Sequence, residues 1–158
     1  MITTEEALTI ATEFAENWLW TTETARPEQN RLDITLTTPD DLIPIVVGLR
    51  VKRLGYLSAI SGLDLGAEVD EFELLYHFCI AAAVITLRLR IPRKNGSVQS
   101  LCEIIPSAEA FEREISEMFG VTVIGLRNPE HLYLPDDWAE DQYPLRKDFD
   151  PAVIRSST

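Results

Sequence analysis

The sequence predicts an α+β domain: a mostly antiparallel or mixed sheet of about four to five strands, helices packed on one face, and an extended C-terminal tail. Apolar residues recur at helical spacing in some segments and alternate with polar residues in others. With 158 residues, 46% of them hydrophobic, the chain has the size of one domain and can bury one core. We expect a globular domain over residues 1–125 and a tail over residues 126–158.

Three segments are predicted to be helices. Thr3 and Glu6 have the spacing of a capping box at the start of the first helix. The apolar residues that follow at helical spacing are Leu8, Ala11, Phe14, Ala15 and Trp18. The second helix is predicted over about 39–54, because acidic residues at its start and basic residues at its end match the helix dipole. The third is predicted over about 108–119, where a glycine follows the last turn.

Four segments are predicted to be strands. Polar and apolar residues alternate in residues 32–36 and 85–91, which is the period of a half-buried strand. Residues 56–60 and 71–79 have the composition of two further strands, and residues 61–66 are rich in turn-forming residues, so we expect a loop there. The alternation indicates a sheet with one apolar face and one polar face.

The charge and the cysteine count exclude several classes of function. Fourteen basic residues against 26 acidic ones give a net charge of −12, which would repel a phosphate backbone, so nucleic acid is not an expected ligand. Cys79 and Cys102 form no Cys-x-x-Cys pair, and His77 and His131 are far apart, so we predict no metal ligands. Neither a signal peptide nor a membrane-spanning segment is expected, which favours a cytoplasmic address.

The third helix holds the densest group of charges. Glu112, Glu114 and Glu117 could in principle act as acid/base or metal groups, but they spread around the helix without a histidine. We expect instead a solvated or partner-paired charged face, with Arg113 placed for i,i+4 pairs with acids on either side. Asp136-Asp137 could bind a divalent cation, but adjacent acids after proline are more often a turn cap. No catalytic, cofactor-binding or metal-binding residue is predicted.

The tail is rich in both proline and aromatic residues. Proline prevents long helices and central strands, whereas the aromatic content is too high for a disordered segment. The tail therefore packs either on its own domain or across a partner, and in the second case Trp138, Tyr143 and Phe149 are the expected anchors. The basic pair Arg146-Lys147 suits a carboxylate-bearing surface, or else solvates the end of an element.

The segments that carry these features resemble a known family. They are Glu112-Arg113-Glu114 with Glu117–Gly120, Leu134–Trp138, and Pro144–Phe149. Their order and spacing resemble the C (30 kDa) subunit family of respiratory complex I, the proton-pumping NADH:quinone oxidoreductase, and its relatives in membrane-bound hydrogenases. The similarity covers about residues 55–150. Where many family members have a Gly-His-Pro triplet, this chain has Gly125–Pro129.

The resemblance implies a structural subunit without its own active site. Such a subunit lies in the hydrophilic arm, against a large subunit that descends from the nickel–iron hydrogenase chain, and its tail runs over that partner. Iron–sulfur clusters, and nickel–iron in a hydrogenase, belong to partner subunits, and the assembly is peripheral on the cytoplasmic side of the membrane. The expected partner-docking residues are Glu112, Arg113, Glu114, Glu117, Trp138, Tyr143, Leu145, Arg146, Lys147 and Phe149.

Three alternatives to a quinone oxidoreductase subunit stay open. The closest is the equivalent small subunit of a membrane-bound energy-converting [NiFe] hydrogenase, because the signature segments fit both branches. A stand-alone acidic hydrolase or metal enzyme would use Glu112, Glu114, Asp136 and Asp137. An adaptor outside bioenergetics would bind partners that lack redox cofactors.

Overall fold

The computed structural model describes residues 2–17 and 22–152. Trp18 and the last part of the predicted tail, residues 153–158, lie outside the described residues. The elements in chain order are α1 (Thr4–Asn17), β1 (Thr22–Ala25), β2 (Arg31–Leu36), α2 (Leu42–Val51), β3 (Tyr56–Asp64), β4 (Glu71–Ile80), β5 (Ala83–Pro92), β6 (Ser97–Gln99), α3 (Glu109–Phe119) and β7 (Thr122–Ile124). Short 3-10 turns precede α2 and α3.

Five strands form one mixed sheet in the order β1-β2-β5-β4-β3. Strands β2 and β5 pair in parallel, whereas the β1–β2, β3–β4 and β4–β5 pairs are antiparallel. Strands β6 and β7 form a separate parallel pair. The predicted fold class, a single α+β domain with a mixed sheet of four to five strands, is confirmed.

The first helix begins as the sequence predicts. Glu6 Oε2 accepts a hydrogen bond from the Thr3 amide at 2.8 Å, and Thr3 Oγ1 accepts one from the Glu6 amide at 3.3 Å. This is the reciprocal capping box, and it satisfies two amides that a helix start would leave without partners. The buried residues of α1 lie on one stripe, Ala7, Leu8, Ala11 and Ala15.

The sheet has the predicted apolar and polar faces. Its buried apolar side chains join those of the three helices in one core cluster. They include Leu32, Ile34, Phe72, Leu74, Tyr76, Phe78, Ile85, Leu87, Leu89 and Ile91. On the opposite face, the Arg88 guanidinium donates to Glu73 at 2.9 and 3.1 Å and to Asp33 at 2.9 Å. These bonds pair the charges across three neighbouring strands.

Helix α3 approaches the sheet closely at Gly62 of β3. A Cβ atom at this position would lie 2.6 Å from Phe119 Cε2 and 3.0 Å from Ile115 Cδ1. The Phe119 ring meets Phe72 of β4 edge-on, with 5.6 Å between ring centroids. The absence of a side chain at Gly62 therefore sets the distance between α3 and the sheet.

Some sequence-based boundaries were wrong. Residues 61–64, expected in a loop, continue β3, because pairing with β4 extends to Asp64 opposite Phe72 and outweighs the local preference for a turn. The second helix ends at Val51 rather than near Leu54. Strands β1, β6 and β7 were missed, because three or four residues are too few to show alternation.

The described helices are shorter or more polar than a membrane-spanning helix. None of those within residues 2–17 and 22–152 combines the length and apolar character needed to cross a membrane.

We predict that Gly62→Val destabilises the domain by about 1–3 kcal/mol, because the added side chain overpacks the contact with Phe119. Urea denaturation of purified protein measures this loss as a lower unfolding midpoint. Ser61→Thr is the matched control, since Ser61 is exposed on the opposite face and threonine keeps the hydroxyl that lies 3.3 Å from His77 Nε2. Its effect should stay within about 0.5 kcal/mol. Equal losses in the two variants would contradict the close approach of α3.

Candidate docking surface

The predicted docking residues lie on α3 and on the segment that follows β7. We call residues 128–142 the anchored loop and residues 143–149 the return segment. Both are held on the domain by contacts with α3 and the sheet, so part of the predicted tail packs on its own domain. Whether the outer side of this surface binds a partner stays a prediction.

Glu112 of α3 faces the interior, with 2% of its surface exposed. Its carboxylate accepts hydrogen bonds from Ser100 Oγ and from the Leu101 amide, both at 2.6 Å, and from Cys102 Sγ at 3.2 Å. Burial raises the pKa of the Cys102 thiol, and its bond to Glu112 adds to this, so the thiol stays protonated. The expected solvated or partner-paired face is therefore wrong for Glu112, whose carboxylate organises the turn before α3.

The side chain of Glu117 binds the backbone of the anchored loop. Its side chain is 5% exposed, and its two oxygens accept the amides of Leu132 at 2.8 Å and Tyr133 at 2.9 Å. The Nδ1 atom of His131 lies 3.3 Å from the same carboxylate. A buried carboxylate needs such donors, because leaving it without them would cost several kcal/mol. Glu117 was also expected on a charged outer face, and this too is wrong.

Arg113 binds the same loop from the preceding turn of α3. Its Nε donates to the Glu130 carbonyl oxygen at 3.0 Å, and its Nη2 donates to the His131 carbonyl oxygen at 2.9 Å. The guanidinium thus points to the loop backbone rather than to the acids at i±4 that the sequence suggested. Arg113 and Glu117 together fix four consecutive residues, two through carbonyl oxygens and two through amides.

The return segment covers the C-terminal end of α3. The Leu145 amide donates to the Met118 carbonyl oxygen at 3.2 Å, and Arg146 Nε donates to the Phe119 carbonyl oxygen at 2.7 Å. A cation here offsets the negative end of the helix dipole. The Arg146 guanidinium also lies 4.2 Å from the centroid of the Tyr143 ring, a cation–π contact.

Gly120 makes room for this arrangement. It ends α3 with a left-handed φ of 72°, a conformation that favours glycine. A Cβ atom at Gly120 would lie 2.5 Å from Tyr143 Cζ and 2.6 Å from Arg146 Nη2. Both the backbone angle and the space around it therefore require glycine next to the return segment.

Asp64 ties the return segment to the end of β3. Its side chain is 1% exposed and accepts the amides of Gly66 and Lys147, both at 2.8 Å. Arg93 Nε lies 3.0 Å from Asp64 Oδ1, and Arg93 Nη2 is 2.7 Å from Asp148 Oδ1. Burial alone would raise the pKa of Asp64, but these hydrogen bonds and the Arg93 charge outweigh it and lower the pKa.

Two of the three aromatic residues proposed as anchors, Trp138 and Phe149, face each other. The Trp138 and Phe149 rings stack with 6.3 Å between centroids and 27° between planes, and Trp138 Nε1 donates to the Gln142 carbonyl oxygen at 2.8 Å. This pair closes the anchored loop against the return segment. Of the remaining predicted residues, Leu145 is 52% exposed and Lys147 is exposed, whereas Glu114 is half-buried.

Sequence reasoning missed several residues of this surface. Asp64, Arg93 and Asp148 form an ion-pair group, but they lie in three separate segments, so no spacing could indicate it. An acidic residue inside an apolar strand was the available signal, because a buried carboxylate needs donors. Within residues 2–17 and 22–152, no three His, Cys, Asp or Glu side chains are grouped so that they could hold a metal ion.

We predict that Asp64→Asn destabilises the domain most at neutral pH. Because folding lowers the pKa of Asp64, its contribution is fully present above the ordinary value of about 3.9 and is lost as the pH falls through the lower folded value. Urea denaturation from pH 7 to pH 3 should show the difference between wild type and variant shrinking at acidic pH. Asp70→Asn, at an exposed aspartate, is the control. A stability difference between wild type and variant that is constant over this pH range would contradict the lowered pKa of Asp64.

Comparison with known proteins places these residues in a family. The family model described as "Respiratory-chain NADH dehydrogenase, 30 Kd subunit" matches residues 35–153. Formate hydrogenlyase subunit 5 of Escherichia coli is 32% identical over 124 residues, which is 76% of this chain and 22% of that protein. The C subunit of NADH-quinone oxidoreductase from Rhizobium rhizogenes is 32% identical over 122 residues, 75% of this chain and 60% of that protein.

A solved structure has the same fold. In the archaeal membrane-bound sulfane sulfur reductase, one chain superposes with a TM-score of 0.75 at 23% identity, covering 94% of this chain and 89% of that one. The chain spans about a fifth of the first of the two curated relatives and 60% of the second. With the family model matching most of its length, the chain belongs to the 30 kDa subunit family of the respiratory-chain NADH dehydrogenase.

Proposed function

We propose that the chain is a non-catalytic structural subunit in the hydrophilic arm of a complex I-type quinone oxidoreductase. It docks on the hydrogenase-like large subunit through α3, the anchored loop and the return segment. The main observation behind this proposal is what the charged residues of the family signature bind. Glu112, Glu117 and Arg113 bind backbone groups of their own chain, so they shape a surface instead of facing a substrate.

The lengths of the relatives support docking on a large partner. In formate hydrogenlyase subunit 5 the matching stretch is 22% of a longer chain, whereas in the Rhizobium relative it is 60% of the protein. A domain that is covalently joined to a larger chain in one relative is expected to contact the counterpart of that chain when the two are separate. The large subunit is therefore the first candidate partner.

The cofactors are proposed to lie on partner subunits. The electrons pass through iron–sulfur proteins and the large subunit, with nickel–iron in the case of a hydrogenase. This chain positions those partner subunits. The chain reaches the cytoplasmic side of the membrane as a peripheral part of the complex, through these partners. Its role is to fix the relative positions of the partner subunits.

An equivalent subunit of a membrane-bound [NiFe] hydrogenase is the second candidate. The specific observation that favours it is the equal identity, 32%, to formate hydrogenlyase subunit 5 and to the Rhizobium NADH-quinone oxidoreductase protein. The electron donor and acceptor bind to other subunits, so the identity of those subunits distinguishes the two candidates. A stand-alone acidic hydrolase is less supported, because Glu112, one of its four candidate carboxylates, is buried and bound by donors of its own chain.

The direct test is purification of the tagged chain from membranes of its native host, at native expression. We expect a complex that contains a hydrogenase-like large subunit and iron–sulfur proteins, identified by mass spectrometry. The companion subunits then distinguish the quinone oxidoreductase from the hydrogenase. Recovery of the chain as a stable monomer, under conditions that preserve other respiratory complexes, would contradict the proposal.

We predict that Arg113→Ala lowers the affinity for the large subunit about tenfold or more, because it releases the backbone of the anchored loop at Glu130 and His131. The free energy of unfolding of the isolated chain should fall by about 1 kcal/mol, because Arg113 is only half-buried. Arg50→Ala, at an exposed arginine of α2, is the matched control. If Arg113→Ala lowers the affinity no more than Arg50→Ala does, or leaves the isolated chain largely unfolded, Arg113 serves the fold and not the interface.

A further inference from the structure

An exposed aromatic side chain stands on the most tightly held part of the anchored loop. Tyr133 is 65% exposed, yet its backbone amide donates to the buried carboxylate of Glu117 at 2.9 Å. The three residues before it are fixed by Glu117 and Arg113 in the same way. The backbone is therefore fixed, while the ring makes little contact with its own chain.

This combination is typical of a binding anchor. A tyrosine ring buries a large area and loses the freedom of only two side-chain torsions when it binds. Fixing the backbone beforehand removes a further entropic cost of association. Exposure alone does not distinguish Tyr133, because Tyr56 of β3 is 67% exposed. Tyr133 differs in that it stands on the anchored loop of the predicted docking surface, where Glu117 holds its amide. The placement of Tyr133 thus favours contact with another molecule.

The charge around Tyr133 indicates the chemistry of that molecule. Residues 128–142 contain no lysine or arginine and five acidic residues, Glu130, Asp136, Asp137, Glu140 and Asp141. All five are exposed, and in the described part of the chain none is within ion-pair distance of a basic side chain. Such a surface repels nucleic acid and anionic lipid and attracts a basic protein surface.

We propose that Tyr133 is the central anchor of the docking surface, and that the partner offers an apolar recess for its ring, bordered by lysine or arginine side chains. This inference rests on the proposed function, because the partner is a subunit of the same complex. It adds the residue and the partner chemistry. Glu117 and Arg113 act as positioning residues, which hold the loop so that the ring projects outward.

The test uses the tagged full chain, assembled with its partners in the native host. Tyr133→Ala should lower the fraction of large subunit recovered about tenfold, whereas Tyr133→Phe, which keeps the ring, should recover most of it. Tyr56→Ala is the matched control, since Tyr56 is 67% exposed on β3, and recovery should equal wild type. Thermal unfolding of the free variants checks folding, and Tyr133→Ala should melt within a few degrees of wild type.

The charge is tested separately with Asp136→Asn combined with Asp137→Asn. Wild-type recovery should fall as sodium chloride in the wash increases, because screening weakens the attraction to a basic partner. The double variant should start lower and depend less on salt. Recovery with an unchanged salt dependence would overturn the basic character of the partner surface.

The outcomes separate this inference from the proposed function. If wild type recovers the large subunit and Tyr133→Ala does so equally well, the anchor is wrong while the structural role stands. If wild type recovers no redox subunit, the proposed function is wrong and the inference fails with it. Loss of a homodimer, rather than of the large subunit, on Tyr133→Ala would make the partner a second copy and overturn the proposal of a basic partner subunit.

Discussion

The buried carboxylate of Glu117 is the interaction on which the docking surface depends. A carboxylate this deep must be satisfied by donors, and Glu117 takes them from two consecutive amides of the anchored loop. The loop contains neither helix nor sheet ladder of its own. Four of its backbone groups, in residues 130–133, find their partners on α3, so the helix and the loop form one unit.

A second buried carboxylate does the same for the return segment. Asp64 accepts an amide from a residue 83 positions away, Lys147, and balances the charge of Arg93. Together the two carboxylates explain how a proline-rich segment, which cannot build long secondary structure, is held on the domain. The segment stays bound because its release would leave these buried charges without partners, which costs free energy.

The sequence indicated those parts of the fold that depend on local periodicity. The capping box at Thr3 and Glu6, the alternating strand 85–91 and the helix before Gly120 all appear in the structure. The extension of β3 through Gly62 was missed, because it depends on pairing with β4. The orientation of Glu112 and Glu117 was also missed, because helical spacing alone could not show that a distant segment covers that side of α3.

The anchored loop and the return segment, residues 128–149, are folded onto the domain in the free chain. Hydrogen–deuterium exchange of the isolated protein is the measurement that checks this. The amides of Leu132, Tyr133, Leu145 and Lys147 should exchange slowly, because each donates to Glu117, Asp64 or the Met118 carbonyl oxygen. Exchange of these amides at the rate of an unstructured chain, with the β4–β5 amides still protected, would contradict the claim.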